Sequence, residues 1–262
     1  MDLKLSGKIA LIAGASKGIG AATARVLAGE GVHTVLMARR EEPLATLASE
    51  LKTAGAQADI LVADMTDAIC VDTAIQNLRD KIGVPDICVI SAGAAQGGLF
   101  WDIEDETWQS AFDLKFMGMV RVLRAVAPLM KAAGRGRIVV VVGNNGRQPH
   151  PRMLPGSAAN AACLAVIRGL AEELAPFGVT VTALNPGPTR TDRWDRLIDN
   201  LARTENRAVG DVEAEQLARM PKGRIGEADE MARLIAVLGS DLADMVTGTS
   251  LTADGGATKA IA

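Results

Sequence analysis

Short apolar segments alternate with helical segments along most of the 262-residue chain, and this alternation limits the possible folds more than any other feature. The apolar runs end at Gly, Asp or Pro, as do parallel strands that are covered on both faces. Strand–helix–strand repetition requires right-handed crossovers, so we predict an α/β fold with a doubly wound parallel sheet. The predicted strands span 8–14, 34–38, 60–63, 86–91, 137–143 and 179–184, and the predicted helices span about 18–30, 41–55, 67–82, 105–133 and 157–176.

The composition argues against several classes of protein. Hydrophobic residues make up 48% of the chain, which is enough for a sizeable core and excludes intrinsic disorder. The 28 Lys and Arg residues do not outnumber the 31 Asp and Glu residues, so a nucleic-acid partner is not expected. No apolar run has the length of a membrane span, and the first residues lack the layout of a signal peptide. We expect a single cytoplasmic domain over residues 1–262.

The three cysteines, Cys70, Cys88 and Cys163, are odd in number, widely spaced and form no Cys-x-x-Cys pair. This spacing predicts free thiols in a reducing compartment. No clustered His, Cys and carboxylate spacing predicts a metal site.

Two helical stretches, Trp108 to Met130 and Ser157 to Leu174, are apolar nearly all round. A helix that is buried on one side only would show a polar stripe. Deep burial within one subunit is one explanation. The other, which we favour, is that the helices at 105–133 and 157–176 also face another subunit in a homodimer or homotetramer.

The segment at about 185–211 interrupts the alternation and carries many charges, so we predict an irregular insertion there. Long loops inside compact domains are commonly lids or binding segments. A solvated surface loop is an equal alternative to a segment that borders the substrate.

A glycine-rich turn directly after the first predicted strand marks a nucleotide site. Glycines there allow a pyrophosphate to approach the backbone, and the following helix offers free N–H groups and the positive end of its dipole. The residues of this predicted cofactor-binding turn are Gly14, Ser16, Lys17, Gly18, Ile19 and Gly20.

The Gly-x-x-x-Gly-x-Gly spacing resembles that of the short-chain dehydrogenase/reductase family, and further landmarks extend the resemblance to the C-terminus. Asp64 and Met65 follow the third strand, where the family contacts adenine, and Ser91, Ala92 and Gly93 follow the fourth. Pro186, Gly187, Thr189 and Thr191 match the family segment beside the nicotinamide, and Gly226, Glu230, Gly248 and Asp254 match its C-terminal pattern. The resemblance implies a Rossmann fold over the whole chain, binding of a dinucleotide at these positions, and oxidoreductase activity.

The end of the second strand indicates which dinucleotide binds. An Asp there would accept hydrogen bonds from the ribose and repel a 2′-phosphate, but this chain has Ala38 followed by Arg39 and Arg40. Together with Lys17, these arginines would surround a 2′-phosphate with cations. We therefore predict NADP(H) in preference to NAD(H), with a pair of solvated arginines as the alternative.

The resemblance also implies positions for an Asn, Ser, Tyr and Lys that act in catalysis, and all four differ here. Gly143 occupies the Ser position, Gly156 the Tyr position, Asn160 the Lys position and Lys115 the Asn position. The chain contains no tyrosine, so proton transfer from a tyrosine is impossible.

Lys and Asn have exchanged places, which suggests a replacement for the missing acid. A desolvated lysine can act as an acid or base near neutral pH, so we predict Lys115 as the catalytic or substrate-orienting cation and Asn160 as a hydrogen-bonding partner of the ribose. A structural lysine in a degenerate site is the alternative. His150, in the loop after the fifth strand, is a weaker candidate for the proton donor, and Asn144 and Asn145 are candidates for donors to an oxyanion.

Three functions remain open at this point. The first is an NADP(H)-dependent oxidoreductase that acts on a small carbonyl or alcohol with a non-standard proton donor. The second is a regulatory or inactive NADP-binding protein without redox turnover, and the third is a lyase, isomerase or hydrolase on the same fold.

Overall fold

The computed structural model describes residues 2–93 and 97–259. The strands are β1 (Ile9–Ala13), β2 (His33–Ala38), β3 (Ala58–Val62), β4 (Ile87–Ile90), β5 (Gly136–Val141), β6 (Val179–Pro186), β7 (Thr189–Arg190), β8 (Gly226–Glu227) and β9 (Ser250–Ala253). The α-helices are α1 (Gly18–Gly29), α2 (Glu41–Thr53), α3 (Ala68–Lys81), α4 (Asp105–Ala111), α5 (Gly118–Ala133), α6 (Leu154–Leu174), α7 (Asp192–Glu205), α8 (Val209–Ala218) and α9 (Ala228–Leu238).

The main sheet has seven parallel strands in the order β3-β2-β1-β4-β5-β6-β9, which confirms the predicted α/β fold with a doubly wound parallel sheet. The strand order reverses beside β1, which pairs with β2 on one side and β4 on the other. In sheets of this kind, ligands bind in the crevice outside the carboxyl ends of the strands at the point of reversal. The fold therefore places the candidate site at the ends of β1 and β4.

Both faces of the sheet are covered by helices. Successive side chains of a strand point to opposite faces. In β1, Leu11 and Ala13 therefore enter one buried cluster with residues of α3, α5 and α6. Ala10 and Ile12 enter the other cluster, with residues of α1, α2 and α9. Burial on both faces explains why the predicted strands are continuous apolar runs.

The single helix predicted over 105–133 is divided. Between α4 and α5, residues Phe112–Met117 form a π-helical turn. A π turn bonds each N–H to the carbonyl five residues earlier, so it holds an additional residue, and such turns are frequent at functional sites. The apolar pattern alone did not reveal this change of period.

The prediction of an irregular insertion at about 185–211 is wrong for most of that segment. It contains the end of β6, the short strand β7, helix α7 and the start of α8. Its apolar residues form a small third cluster of Trp194, Ile198, Ala202, Val212 and Ile225. The charges that suggested a loop lie mainly on the outer face of an amphipathic helix.

The long apolar helices differ from each other. Helix α5 buries residues such as Met119, Val122 and Val126, whereas Arg124 and Lys131 are exposed, so the expectation of an all-round apolar surface is wrong there. Helix α6, with its following turn, is long and apolar enough to cross a membrane by length and composition over Leu154–Phe177. Its buried side, including Cys163 and Ile167, packs in the core against the sheet, as expected for a helix of a doubly wound fold.

Candidate functional site

The glycine-rich turn after β1 is packed so closely that side chains are excluded from two of its positions. Gly14 has a φ of +88°, and a Cβ there would lie 2.8 Å from the carbonyl oxygen of Ser91. A Cβ on Gly20 would overlap the carbonyl oxygen of Gly14 and lie 2.9 Å from its carbonyl carbon. The turn therefore brings the start of α1 directly against the ends of β1 and β4.

The first turn of α1 is suited to an anionic group. Within the described residues, no side chain caps this helix, and its first turn contains no acidic residue. The free N–H groups and the helix dipole of such a terminus attract phosphate. Lys17, at the N-cap, adds an exposed ammonium 3.8 Å from the carboxylate of Asp192, while Ser16 and Ile19 are half-buried in the same turn.

The ends of β2 and β3 carry the residues predicted to contact the adenosine. Arg39 and Arg40 are both exposed, and the Arg39 guanidinium lies 3.9 Å from the carboxylate of Asp64. Partial burial acts to raise the pKa of Asp64, but hydrogen bonds from Thr66 and the charge of Arg39 lower it overall. The Met65 side chain is buried beside Gly118, so it packs in the core rather than lining an open surface.

The fourth and sixth strands bring the remaining predicted cofactor residues to the same edge. The Ser91 N–H donates to the carbonyl oxygen of Ala13 at 2.8 Å, which ties the Ser91–Gly93 segment to β1. The Thr191 hydroxyl donates to the carbonyl of Thr189, and its methyl group would lie 3.3 Å from a Cβ on Gly18. Pro186 ends β6, and the Gly187 N–H donates to the Ala253 carbonyl. The segments at Ser91 and Thr191 therefore lie against the glycine-rich turn.

Lys115 lies in the π-helical turn and reaches across the ends of β4 and β5. Its ammonium donates to the carbonyl oxygen of Val142 at 2.7 Å and lies 3.4 Å from that of Val141. The side chain runs closely past Gly93, where a Cβ would lie 2.5 Å from Lys115 Cδ. The absence of a side chain at Gly93 is what allows the ammonium to reach the end of β5.

The surroundings of Lys115 lower the pKa of its ammonium. Desolvation by burial lowers the pKa of the ammonium from 10.5 to about 8; Cys163 acts in the opposite direction and the charge of Arg193 lowers the pKa further. A lysine with a pKa of about 8 is still mainly protonated at neutral pH, but it releases its proton much more readily than an exposed lysine does. Lys115 can therefore serve as a proton donor near neutral pH.

Asn160, Gly143 and Gly156 lie near the carboxyl end of β5. Asn160 is buried in α6, and its amide nitrogen would lie 3.1 Å from a Cβ on Gly143. Gly143 itself has a φ of +123°, and Gly156 lies in the first turn of α6. Lys115 and Asn160 thus both lie near the end of β5, Lys115 at the carbonyls of Val141 and Val142 and Asn160 beside Gly143.

The weaker candidates are not joined to Lys115. His150 is exposed, and its Nδ1 accepts a hydrogen bond from the N–H of Arg152 in its own turn at 3.3 Å. The Asn144 amide donates to the carboxylate of Asp254 at 3.3 Å, which engages the donor that was predicted for an oxyanion. Among the described contacts, none links His150 or Asn144 to the Lys115 ammonium.

Arg193 influences the charge of Lys115, although the sequence indicated it only as one of the many charges of 185–211. It lies in the first turn of α7, two residues after Thr191, with an exposed side chain, and its positive charge lowers the pKa of Lys115. The signal was its position directly after the segment expected beside the nicotinamide. The wrong prediction of an irregular insertion obscured that signal.

Two open cavities lie outside the Lys115 space. A groove of about 310 Å³ borders the glycine-rich turn at Ser16 and continues between α1 and α2 past Arg25 and Glu50. A larger cavity of about 560 Å³ lies at the start of α9, and its lining includes the ion pair of Arg224 with Glu230. The larger cavity shares no lining residue with the predicted catalytic positions, so its size does not identify the site.

Comparison with known proteins agrees with the geometry. Residues 8–202 match the family described as short chain dehydrogenase. The 3-oxoacyl-[acyl-carrier-protein] reductase FabG of Escherichia coli (strain K12) is 32% identical over 260 residues, which cover 97% of this chain and 98% of that protein.

Solved structures resemble this chain over its whole length. L-sorbose reductase from Gluconobacter frateurii, complexed with NADPH and L-sorbose, has a TM-score of 0.94 at 30% identity and covers 100% of both chains. NAD⁺-bound xylitol dehydrogenase has a TM-score of 0.92 at 26% identity, covering 97% of this chain and 100% of that one. The similarity therefore includes proteins that bind either dinucleotide.

Proposed function

Because the chain belongs to the short-chain dehydrogenase family, we propose that it is an NADP(H)-dependent oxidoreductase that interconverts a small carbonyl compound and its alcohol, with Lys115 as the proton donor. The observation that carries this proposal is the position of the Lys115 ammonium, which lies at the end of β5 in a space free of side chains at Gly93 and Gly143. The family resemblance places the hydroxyl groups of a Ser and a Tyr in that region, and this chain has glycine at both positions.

The described residues fit a dinucleotide. The close contact of Gly20 with Gly14 leaves the backbone N–H groups of α1 open to a pyrophosphate, and within the described residues no carboxylate lies in the first turn to repel it. Arg39, Arg40 and Lys17 are exposed cations on the side where the adenosine ribose would lie, which favours a 2′-phosphate. The NADPH complex of L-sorbose reductase supports this preference, whereas xylitol dehydrogenase with NAD⁺ is the contrary case.

In the reductive direction, the residues of the glycine-rich turn would hold NADPH, which would supply a hydride for the carbonyl carbon when bound. The protein must then provide a proton to the carbonyl oxygen as negative charge develops there. Lys115 donates that proton from Nζ, and the N–H bond that breaks leaves its electron pair on the neutral amine. The carbonyl becomes the alcohol, and Lys115 is reprotonated from solvent before the next turnover.

The backbone around Lys115 supports this role. The carbonyl oxygens of Val142 and Val141 hold the ammonium in place without neutralising its charge, as a carboxylate would. Its lowered pKa brings the donor close to the operating pH, where general acid catalysis is most efficient. Asn160, which lies beside Gly143 at the end of β5, is proposed to hydrogen-bond the nicotinamide ribose.

The test compares Lys115→Met with Lys52→Met, a control at an exposed lysine in the last turn of α2. We expect Lys115→Met to bind NADPH normally but to lose about 100-fold or more in kcat for NADPH oxidation with a panel of ketones, since general acids contribute factors of that size. The control should retain full activity. Unchanged turnover in Lys115→Met would contradict the assignment.

The pH profile provides a second readout. Only the protonated ammonium is a donor, so kcat for reduction should fall about tenfold per pH unit above a pKa of about 8 in the wild type. The Lys115→Arg variant keeps the positive charge but cannot lose its proton in this pH range, so its residual kcat should not fall above pH 8. A fall in kcat at the same pH in Lys115→Arg would mean that a group other than Lys115 causes the pH dependence.

The alternatives from the sequence have distinct outcomes in the same assay. Binding of NADPH without consumption in any reaction would favour a regulatory or inactive protein. Product formation with NADPH unchanged would favour a lyase or isomerase. In the proposed function, residues 1–262 form a single cofactor-binding domain, the segment at 185–211 borders the substrate, and the cytoplasmic location stays a prediction.

A further inference from the structure

Arg121 of α5 reaches back along its helix to the π-helical turn that carries Lys115. Its Nη2 lies 2.7 Å from the carboxylate of Asp113, and its Nη1 donates to the main-chain carbonyl of the same residue at 3.2 Å. Helical side chains point toward the N-terminus of their helix, so a long side chain at 121 meets the turns that precede it. The guanidinium therefore holds both the side chain and the backbone of Asp113, two residues before Lys115.

This contact matches the π register of the turn. The Gly118 N–H donates to the carbonyl of Asp113, five residues earlier, and Arg121 adds a second donor to that same oxygen. In a regular α-helix, residues eight apart are turned by about 80° from each other around the axis. With one additional residue in the turn they are related like residues seven apart, about 20° from alignment. Arg121 and Asp113 therefore face each other because the turn is π-helical.

Arg121 also ties the turn to the end of β3. Its Nη1 donates to the carbonyl oxygen of Met65 at 3.1 Å. Gly118 packs on the same residue, since a Cβ there would lie 3.2 Å from Met65 Cβ. Only 15% of the Arg121 side chain is exposed, so its ion pair is screened less than one at the surface. These contacts fix the rotation of the turn relative to the sheet.

We infer that Arg121 is a positioning residue: its guanidinium fixes the π-helical turn so that the Lys115 ammonium reaches the carbonyl of Val142 at the end of β5. Loss of the guanidinium frees the turn to change its register, which carries the ammonium away from β5. The inference rests on the proposed function only for what the ammonium does there, because its position is measured without turnover.

The position of Lys115 is read from the pH at which its amine reacts. Competitive acetylation with acetic anhydride, followed by peptide mass spectrometry, gives a labelling midpoint for each lysine of the folded protein. Lys115 should have a midpoint at a pH of about 8, because it is buried beside β5. The exposed Lys52 is the internal reference, with a midpoint near 10.5.

Arg121→Met should raise the Lys115 midpoint by at least one pH unit, because the ammonium leaves its buried position. Arg124→Met, at an exposed arginine of the same helix, is the matched control and should leave the midpoint unchanged. Arg121→Lys keeps the charge but lacks the planar fork that serves a carboxylate and two carbonyls at once, so the midpoint should rise there too. Thermal melting shows which variants fold, and Arg121→Lys carries the test if Arg121→Met does not fold.

An unchanged Lys115 midpoint in a folded Arg121 variant would overturn the inference. So would a midpoint near 10.5 in the wild type, an equal rise at all lysines, or failure of both Arg121 variants to fold, since Arg121 would then serve the fold as a whole. If the proposed function also holds, Arg121→Met should lose at least 10-fold in kcat for ketone reduction. A raised midpoint in Arg121→Met, found together with a complete lack of NADPH oxidation by the wild type, would support the inference while the proposed redox function fails.

Discussion

At the scale of single residues, Lys115 lies where we propose an acid to act, but burial at that position destabilises its charged form. Its folded-state pKa of about 8 lies below the ordinary 10.5. The charged form is therefore less stable in the folded protein than in the unfolded chain. The residue that we propose as the acid should be one that lowers the stability of the fold.

Lys115→Met should raise the free energy of unfolding at pH 7, by up to roughly 3 kcal/mol at about 1.4 kcal/mol for each pH unit of difference. Below the folded pKa both states hold the proton, so the penalty is complete and independent of pH. Between pH 8 and 10.5 only the unfolded state holds it, so the wild type gains stability as pH rises. Urea titrations at pH 7 and pH 10 check this, and an equal advantage of the variant at both values would contradict the burial argument.

Arg39 determines the cofactor preference in our interpretation. Arg39→Ala should raise the Kd for NADPH by about tenfold or more, because a charge-assisted contact to the 2′-phosphate is lost, and leave the Kd for NADH nearly unchanged. Fluorescence titration with both cofactors measures the two constants. Arg79→Ala, at an exposed arginine paired with Asp80, is the control and should change neither. An equal rise in Kd for NADPH and NADH would mean that Arg39 does not act through the 2′-phosphate.

At the scale of elements, the glycine-rich turn and α1 form one unit. Alanine normally stabilises a helix relative to glycine by up to about 1 kcal/mol. At Gly20, however, a methyl group would overlap the Gly14 carbonyl, whereas at Gly29, in the last turn of the same helix, nothing lies within 4 Å. Alanine at Gly29 therefore tests helix propensity alone, whereas alanine at Gly20 also tests the packing of the glycine-rich turn.

Gly20→Ala should weaken NADPH binding by 10-fold or more and lower the midpoint of thermal unfolding, because the turn must open to admit the methyl group. Gly29→Ala should bind NADPH normally and unfold at the same or a slightly higher temperature. Cofactor titration and calorimetric melting of both variants check this. Normal binding in Gly20→Ala would mean that the close approach is not needed for the site.

The sequence predicted the strands of the main sheet up to β6, because burial on both faces produces continuous apolar runs. It also predicted a helical segment after each of the first five strands, from the helical periodicity of those segments. It missed α7, since Trp194, Ile198 and Ala202 are few among many charges, although they recur every four residues. The direction of Lys115 could not be predicted, because it depends on the π turn and on the open space at Gly93, which only the packed structure defines.

At the scale of the whole molecule, helix α6 presents several small residues to solvent along one side. Ala161, Ala165 and Gly169 are exposed on one side of the helix, opposite the buried Cys163 and Ile167. Small exposed residues allow a second helix to approach closely. We therefore keep the prediction of a homodimer or homotetramer through this helix and the one at 105–133.

Light scattering of the purified protein should give a mass of two or four times 27.3 kDa. Ala165→Glu should reduce that mass, because a carboxylate buried in a symmetric contact meets its own copy. Ala45→Glu, at an exposed alanine of α2, is the control and should leave the mass unchanged. A monomeric wild type would disprove the prediction.

The π-helical turn at Phe112–Met117 has a consequence for how such a site arises and disappears. It contains one residue more than an α-helical turn of similar rise, so removal of a single residue there would allow α4 and α5 to join as one regular helix. Both flanking helices would keep their buried faces, while the residue at 115 would turn by about 100° around the axis. A lineage can therefore gain or lose this ammonium through a change in chain length, with no substitution of the lysine itself.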